Sequence, residues 1–573
     1  MDYYVTLADP ARHLLHVRIH LSGSAPERDV QLPVWNALYQ IRDFSQNLLW
    51  LRAQDESGRP LPVRQLDKAS WRISHAESGA EVEYEIVADL PGPFGAQLTP
   101  EHAFLNLAEV LAYPTDSRKA RATVTFDGVP AQWKVATAMA RLHPGNTEIA
   151  FIAPDYDHLV DAPIEVSPFA EQVFALKGAE YRVVVDAPVA EYSLPALANK
   201  AQRIAAAATD WMQDRPFEHY LFIYHFSHNR NGGGMEHAES CAIDHDADHL
   251  QADPAALDGT TAHEFFHLWN VKRIRPASLE PVDYTRENYT RALWFSEGVT
   301  TTASNLILLR AGLMTPQAYL HELELQITSL QLRAARKTQS AEQSSLDAWL
   351  EKYPDYRRPE RSISYYSKGE LLGVMLDLEI RHVSGGKKSL RELFQWMNEH
   401  YARQGKFFDD SNGVREAAEA VTGSSFEHFF SAYVSGVEEL PYNEWLNTVG
   451  LQAVQHETVV PVIGFETVRN FSAQTQVVSV QENSEAARMG IVPGDFILKV
   501  NGQQASRDLN RMLEGMRPGE IVRLTVQGNK ETRALRLTLG GREEQQVKVV
   551  ELAAASDAQR ARRQAWLRGE AEK

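Results

Sequence analysis

Three regimes of apolar spacing divide the chain. From residue 1 to 165, segments such as HLLHVRIHLSG, EVEYEIVADL and KARATVTFDG alternate apolar and polar residues and stop at turn formers. A period of two puts successive side chains on opposite faces, so the pattern predicts the strands of an antiparallel β domain. From 166 to 450 the apolar residues recur at three and four, as in LPALANKAQRIAAAATDWMQD and LWFSEGVTTTASNLILLRAGL, which predicts a mostly helical domain. HYLFIYHFS reads as a strand of a small sheet at its entrance. From 455 to 547 strands and glycine turns return, with a short helix, a Pro-Gly-Asp turn and an Asn-Gly stop in SEAARMGIVPGDFILKVNGQQ. Residues 548–573 close with SDAQRARRQAWLRGEAEK, a charged, exposed helix or tail. The class expected is a multidomain α+β protein.

Composition narrows the partners more than the fold. At 573 residues the chain exceeds what one core holds, and 44% hydrophobic with 23% charged residues is an ordinary globular balance. A net charge of −18 argues against nucleic acid, which needs a concentrated basic surface. Cys241 is the single cysteine, so neither an intrachain disulfide nor a cysteine-rich zinc site can form. The start, MDYYVTLADPARHLLHVRIH, lacks the basic and apolar regions of a leader, which points to the cytoplasm. A chain trimmed of a leader for the periplasm would begin in the same way. No apolar run reaches the ~18 residues that span a bilayer.

The chemistry concentrates in TTAHEFFHLWNVKRIRP, residues 260 to 276. Residues four apart on a helix lie about 40° apart around its axis, so His263 and His267 can meet one ion. Glu264, next to the first, can take a proton from metal-activated water without coordinating. A catalytic zinc site takes three protein ligands, and Glu297 in RALWFSEGVTTTASNL offers the third. Taken alone, that glutamate reads rather as a first-turn residue favoured by the helix dipole. The glycines before Met235, Glu236 and His237 read by themselves as a turn. His237, His245 and His249 with Asp244, Asp246 and Asp248 read as a polar surface loop rather than a second metal site.

HEFFHLWNVKRIRP followed by LWFSEG, with AFLNLAEVLAYP at 103 to 114, resembles the glycyl aminopeptidase family of gluzincin metallopeptidases. The resemblance implies a thermolysin-like catalytic domain and one zinc ion per chain, held by His263, His267 and Glu297, with Glu264 as general base. GGMEH is similar to the Gly-x-Met-Glu-Asn motif of related aminopeptidases. Carried over, Gly233, Gly234 and Met235 line the substrate backbone and Glu236 pairs with the free α-amine. SISYYSKGELLG is similar to a Tyr-x-Lys-Gly helix start whose tyrosine faces the oxyanion, which selects Tyr366 with Tyr365 as neighbouring alternative. EGVTTTASNL lacks the tyrosines expected at this point in relatives.

VIGFETV with the glycine-turn segment after it looks like a PDZ domain. Backbone N–H groups of Gly464 and Phe465 would receive a peptide's terminal carboxylate, or the module would only brace its neighbours. Together these readings predict a zinc aminopeptidase that acts on peptides with a free amino terminus and prefers glycine or alanine. The alternatives are an endopeptidase fed by the PDZ module and a silent peptide-binding or chaperone protein on the same scaffold.

Overall fold

Alternation becomes sheet where the sequence predicts it. In the computed structural model, strands Leu14–Leu21, Ala80–Val87 and Ala122–Asp127 carry three of the alternating segments, with every second residue buried. They belong to an eight-stranded sheet, and a core from Tyr3 to Val166 fills its inner face. One pairing departs from the expected antiparallel pattern: Asp2–Thr6 runs parallel to Thr123–Asp127. Those partners are far apart in sequence, and only a hairpin forces neighbours to be antiparallel. The structure describes residues 1–573 except 24, 36–38, 40, 229–231, 253, 470–473, 506–508, 514, 529–530 and 573.

Two compact units make up the chain, one of residues 1–452 with 551–573 and one of residues 453–550. In the first, a sheet of five strands accompanies the helices, in the order Ala170–Leu176, Ala179–Asp186, His219–Ser227, Ser240–Asp246, Gly233–Glu236. His219–Ser227 is the HYLFIYHFS strand, central and parallel to both neighbours. Gly233–Glu236 lies at the edge, paired antiparallel with Ser240–Asp246. The helices Leu194–Met212, Pro254–Phe266, Thr300–Ala311 and Tyr365–Val383 follow the three-and-four spacing.

The tail departs from its expected exposure. Asp557–Leu567 is a helix with a Ser556–Gln559 capping box, and Trp566 is completely buried in the first unit. Its indole meets Tyr319 at 5.5 Å between ring centroids, and Trp211 donates to the carbonyl of Gly569 at 2.8 Å. Charged residues dominate the segment's composition, but one large apolar residue decides where it docks.

The second unit is built on a six-stranded sheet with Phe465–Arg469 at one end of its strand order. Phe465–Arg469 pairs with Thr475–Val480 and, among the described residues, with no other strand. Gly464 adopts φ of +82°, where an added Cβ would stand 2.6 Å from that of Ser484. Among the described residues no helix is long and apolar enough to cross a membrane.

Candidate metal centre

Two helical segments deliver the motif residues to one point. His263 and Glu264 occupy the last turn of Pro254–Phe266, and His267 N still donates to His263 O at 3.2 Å, which carries the helical geometry past the assigned end. Glu297 arrives on a π-helical turn, Trp294–Val299, that leads into Thr300–Ala311. Such turns widen the ring of backbone bonds and re-aim a side chain.

His263 Nε2 and His267 Nε2 stand 2.9 Å apart, and Glu297 Oε2 lies 3.2 and 3.3 Å from them. Ligands at about 2.0–2.2 Å from a tetrahedral zinc are roughly 3.3 Å from each other, so this triangle fits one ion. The far side of each imidazole is also held. His267 Nδ1 donates to the carbonyl of Asn270 at 2.6 Å, which leaves its Nε2 lone pair facing the triangle. Thr301 donates its hydroxyl proton to Glu297 O at 3.2 Å, so it accepts from His263 Nδ1, also at 3.2 Å. Burial and the neighbouring His267 lower His263, whereas for His267 burial is outweighed by Glu297, Glu236 and Glu264 together, which raise it. Both imidazoles hold Glu297 well below the usual carboxylate range despite its burial. Burial, with Glu236 and Glu297 alongside, outweighs His267 and pushes Glu264 up. Three buried carboxylates around two imidazoles form a pocket whose charge suits a dication.

The other predicted residues gather around this triangle. Ligand atoms of Glu236, Glu264 and His267 lie within 4.8 Å of one another. Gly234 lies beneath the Glu264 carboxylate, where a Cβ would come within 2.2 Å of Oε1. Gly233 faces Phe94, and Met235 is buried with its sulfur 3.5 Å from Asn106 Nδ2. The Tyr366 ring stands 6.3 Å from that of His263 and is 39% exposed, while Tyr365 behind it is buried. Gly464 and Phe465 sit in the second unit.

Two expectations need correction. GGME forms an edge strand rather than a turn, because it completes a ladder with Ser240–Asp246. The histidine and aspartate stretch is not a surface loop: His237, Asp244 and His245 are buried, within or beside that ladder. The side chain of His249 lies outside the described residues.

Sequence reading also missed several groups around the site. Thr301 and the Asn270 carbonyl hold the histidines, and only Thr301 carried a signal, four residues beyond Glu297 on one helical face. Tyr39 comes from the first β region, buried, with a hydroxyl that finds no hydrogen-bond partner among the described residues. Burial, with Glu297 and Glu236 in electrostatic reach, raises it well above an ordinary phenol. Nothing in its sequence neighbourhood indicates that placement.

Fold and donor set together define a metallopeptidase. Residues 257–372 match the model of the M61 glycyl aminopeptidase, residues 2–168 the peptidase M61 N-terminal domain, and residues 476–528 a PDZ domain. The chain belongs to the M61 glycyl aminopeptidase family and carries that family's N-terminal domain and a C-terminal PDZ domain. An aminopeptidase N family protein from Idiomarina loihiensis has the same fold, with TM-score 0.80 at 24% identity over 99% of each chain. Aminopeptidase A of Legionella pneumophila aligns at 12% identity and TM-score 0.46 over 95% of this chain and 56% of its own. Yeast LTA4 hydrolase aligns at 13% and 0.48 over 78% and 71%. Superpositions this loose do not extend to side chains. No curated protein matches the chain.

Proposed function

We propose that the protein is a zinc aminopeptidase that hydrolyses the first peptide bond of peptides with a free amino terminus, preferring glycine or alanine there. His263, His267 and Glu297 would hold one zinc ion per chain. When bound, the ion supplies Lewis-acid chemistry, acidifying water and polarising the scissile carbonyl. Glu264 accepts the proton from the attacking water and passes it to the leaving nitrogen. Tyr366 donates its phenol proton to the oxyanion without competing for the metal. The edge strand at Gly233 and Gly234 offers unpaired backbone to an extended substrate.

One observation carries the exopeptidase reading: buried Glu236 sits beside Glu264 and His267 without belonging to the metal triangle. A carboxylate at that fixed reach suits an α-ammonium, and a substrate without the amine would leave it buried and unpaired. The preference for small residues rests on the family description.

The test compares a glycyl peptide with its N-acetylated twin, each on wild type, Glu264→Gln and Glu236→Gln. The proposal expects acetylation to lower kcat/KM by at least about 100-fold in wild type. Glu264→Gln should keep its metal and lose about 10²–10⁴ in kcat. Equal cleavage of both peptides would remove Glu236 from its role and favour an endopeptidase. In the second unit, the free edge at Phe465–Arg469 supports docking of a carboxyl-terminal peptide beside Gly464 and Phe465.

A further inference from the structure

A second group of imidazoles and carboxylates lies where the N-terminal sheets meet the five-stranded sheet. Glu165 stands on strand Ile164–Ser167, His102 just before Ala103–Leu105, Asp186 at the end of Ala179–Asp186, and His225 on His219–Ser227. Around them Phe104, Phe169, Leu221 and Ile223 form a small apolar cluster.

The hydrogen bonds on the outer side of each ring fix which nitrogen points inward. His225 Nδ1 meets Asp244 Oδ1 at 2.8 Å, so that nitrogen carries a proton and Nε2 faces Glu165 Oε2 at 2.9 Å. His102 Nε2 meets Gln97 Oε1 at 3.1 Å, and an amide oxygen only accepts. His102 Nδ1 is directed inward, 2.9 Å from Asp186 Oδ2 and 4.0 Å from Glu165 Oε1. Each inward nitrogen thus faces a carboxylate oxygen across a short gap that a ring proton or a cation can bridge. Glu165 has no exposed surface, and its Oε1 is buried without a hydrogen-bond partner among the described residues. Protons on the two rings would bridge the two short pairs but would leave Glu165 Oε1 unserved. A buried carboxylate oxygen without a donor is costly and marks a missing ion or water.

We propose that His102 Nδ1, Glu165 and His225 Nε2 bind a second divalent metal ion of the zinc class, with Asp186 beside His102. Ligand atoms of His102, Glu165 and His225 lie within 4.8 Å of one another. Two imidazoles and one carboxylate supply three protein ligands, and the apolar cluster around them suits a structural ion. Asp244 and Gln97 act as the outer partners that orient the histidines. The ion ties strands of the N-terminal region to the sheet whose edge strand carries Glu236.

Metal content measured by mass spectrometry tests this, on protein dialysed against micromolar zinc. Wild type is expected to hold two ions, and the His263→Ala/His267→Ala double variant one. Adding either Glu165→Gln or His102→Asn to that double variant should remove the remaining ion, with circular dichroism confirming the fold. In the double variant, cobalt should give tetrahedral visible bands, and added zinc should raise the Tm. A folded double variant that holds no ion, or one whose ion survives both Glu165→Gln and His102→Asn, would overturn the proposal in favour of a proton-bridged cluster.

Discussion

An imidazole binds a metal well only when its other nitrogen is held, and here one holder is a hydroxyl and the other a backbone carbonyl. Thr301→Val keeps the shape of the side chain and removes the oxygen that His263 Nδ1 donates to. The expected result is metal affinity lower by about 10–100-fold, read by competition with a chelator, with kcat of the loaded enzyme nearly unchanged. At this scale the sequence was most legible where chemistry is local. His263, Glu264 and His267 form one motif, and Glu297 was within reach of spacing and resemblance. The Asn270 carbonyl was not, because every residue has one and only the turn after the helix aims it. Tyr39 was invisible for another reason: a distant β segment brings it beside Glu297 and Glu236.

Two helices cross at glycines, and that crossing positions both Glu297 and Tyr366. A Cβ on Gly298 would stand 2.4 Å from Gly369 Cα, and one on Gly369 would stand 2.3 Å from the Trp294 carbonyl oxygen. Backbone cannot yield as a flexible side chain can. Gly369→Ala is therefore expected to cost on the order of 1–3 kcal/mol and to lower kcat, because it separates the turn bearing Glu297 from the helix start bearing Tyr366. Gly259→Ala is the control: a Cβ there meets nothing within 4 Å on the helix that carries His263. It should raise stability by about 0.5–1 kcal/mol. Differential scanning calorimetry separates the two. The helices themselves were legible from their three-and-four spacing. The π turn was not, since one extra residue in a turn barely alters that pattern.

At the scale of the molecule, residues remote in sequence hold the first unit together. Asp161, from the N-terminal region, accepts from Lys272 Nζ at 2.7 Å and from the Ala238 backbone at 2.9 Å, with His237 Nδ1 at 3.3 Å. Burial would raise its carboxyl, but Lys272 and His237 outweigh that and hold it well below the usual range. A depressed folded pKa stabilises fully above the unfolded value of about 3.9 and loses that stability as pH falls through the folded value. The stability difference between wild type and Asp161→Asn, on the order of 1–3 kcal/mol by urea unfolding, should be flat from about pH 7 to 5 and shrink below about 4.

The chain returns to this first unit after the PDZ domain, with one tryptophan as its anchor. Trp566 has no exposed surface, Arg381 Nη1 donates to Glu570 O at 2.5 Å, and Arg310 pairs with Glu570. From sequence the segment looked solvated because arginines, glutamates and a glycine surround a lone aromatic residue. A single buried indole contributes more than exposed ion pairs, whose median worth is about 0–1 kcal/mol. Trp566→Ala should thus destabilise the unit that contains the candidate metal centre by about 3–5 kcal/mol. Removing the Arg560–Glu551 pair by Arg560→Ala should cost under about 1 kcal/mol. If the tail were an exposed helix, the order would reverse or both changes would be silent. Thermal inactivation of aminopeptidase activity reads the outcome, since loss of the unit's fold removes His263, His267 and Glu297 from register together.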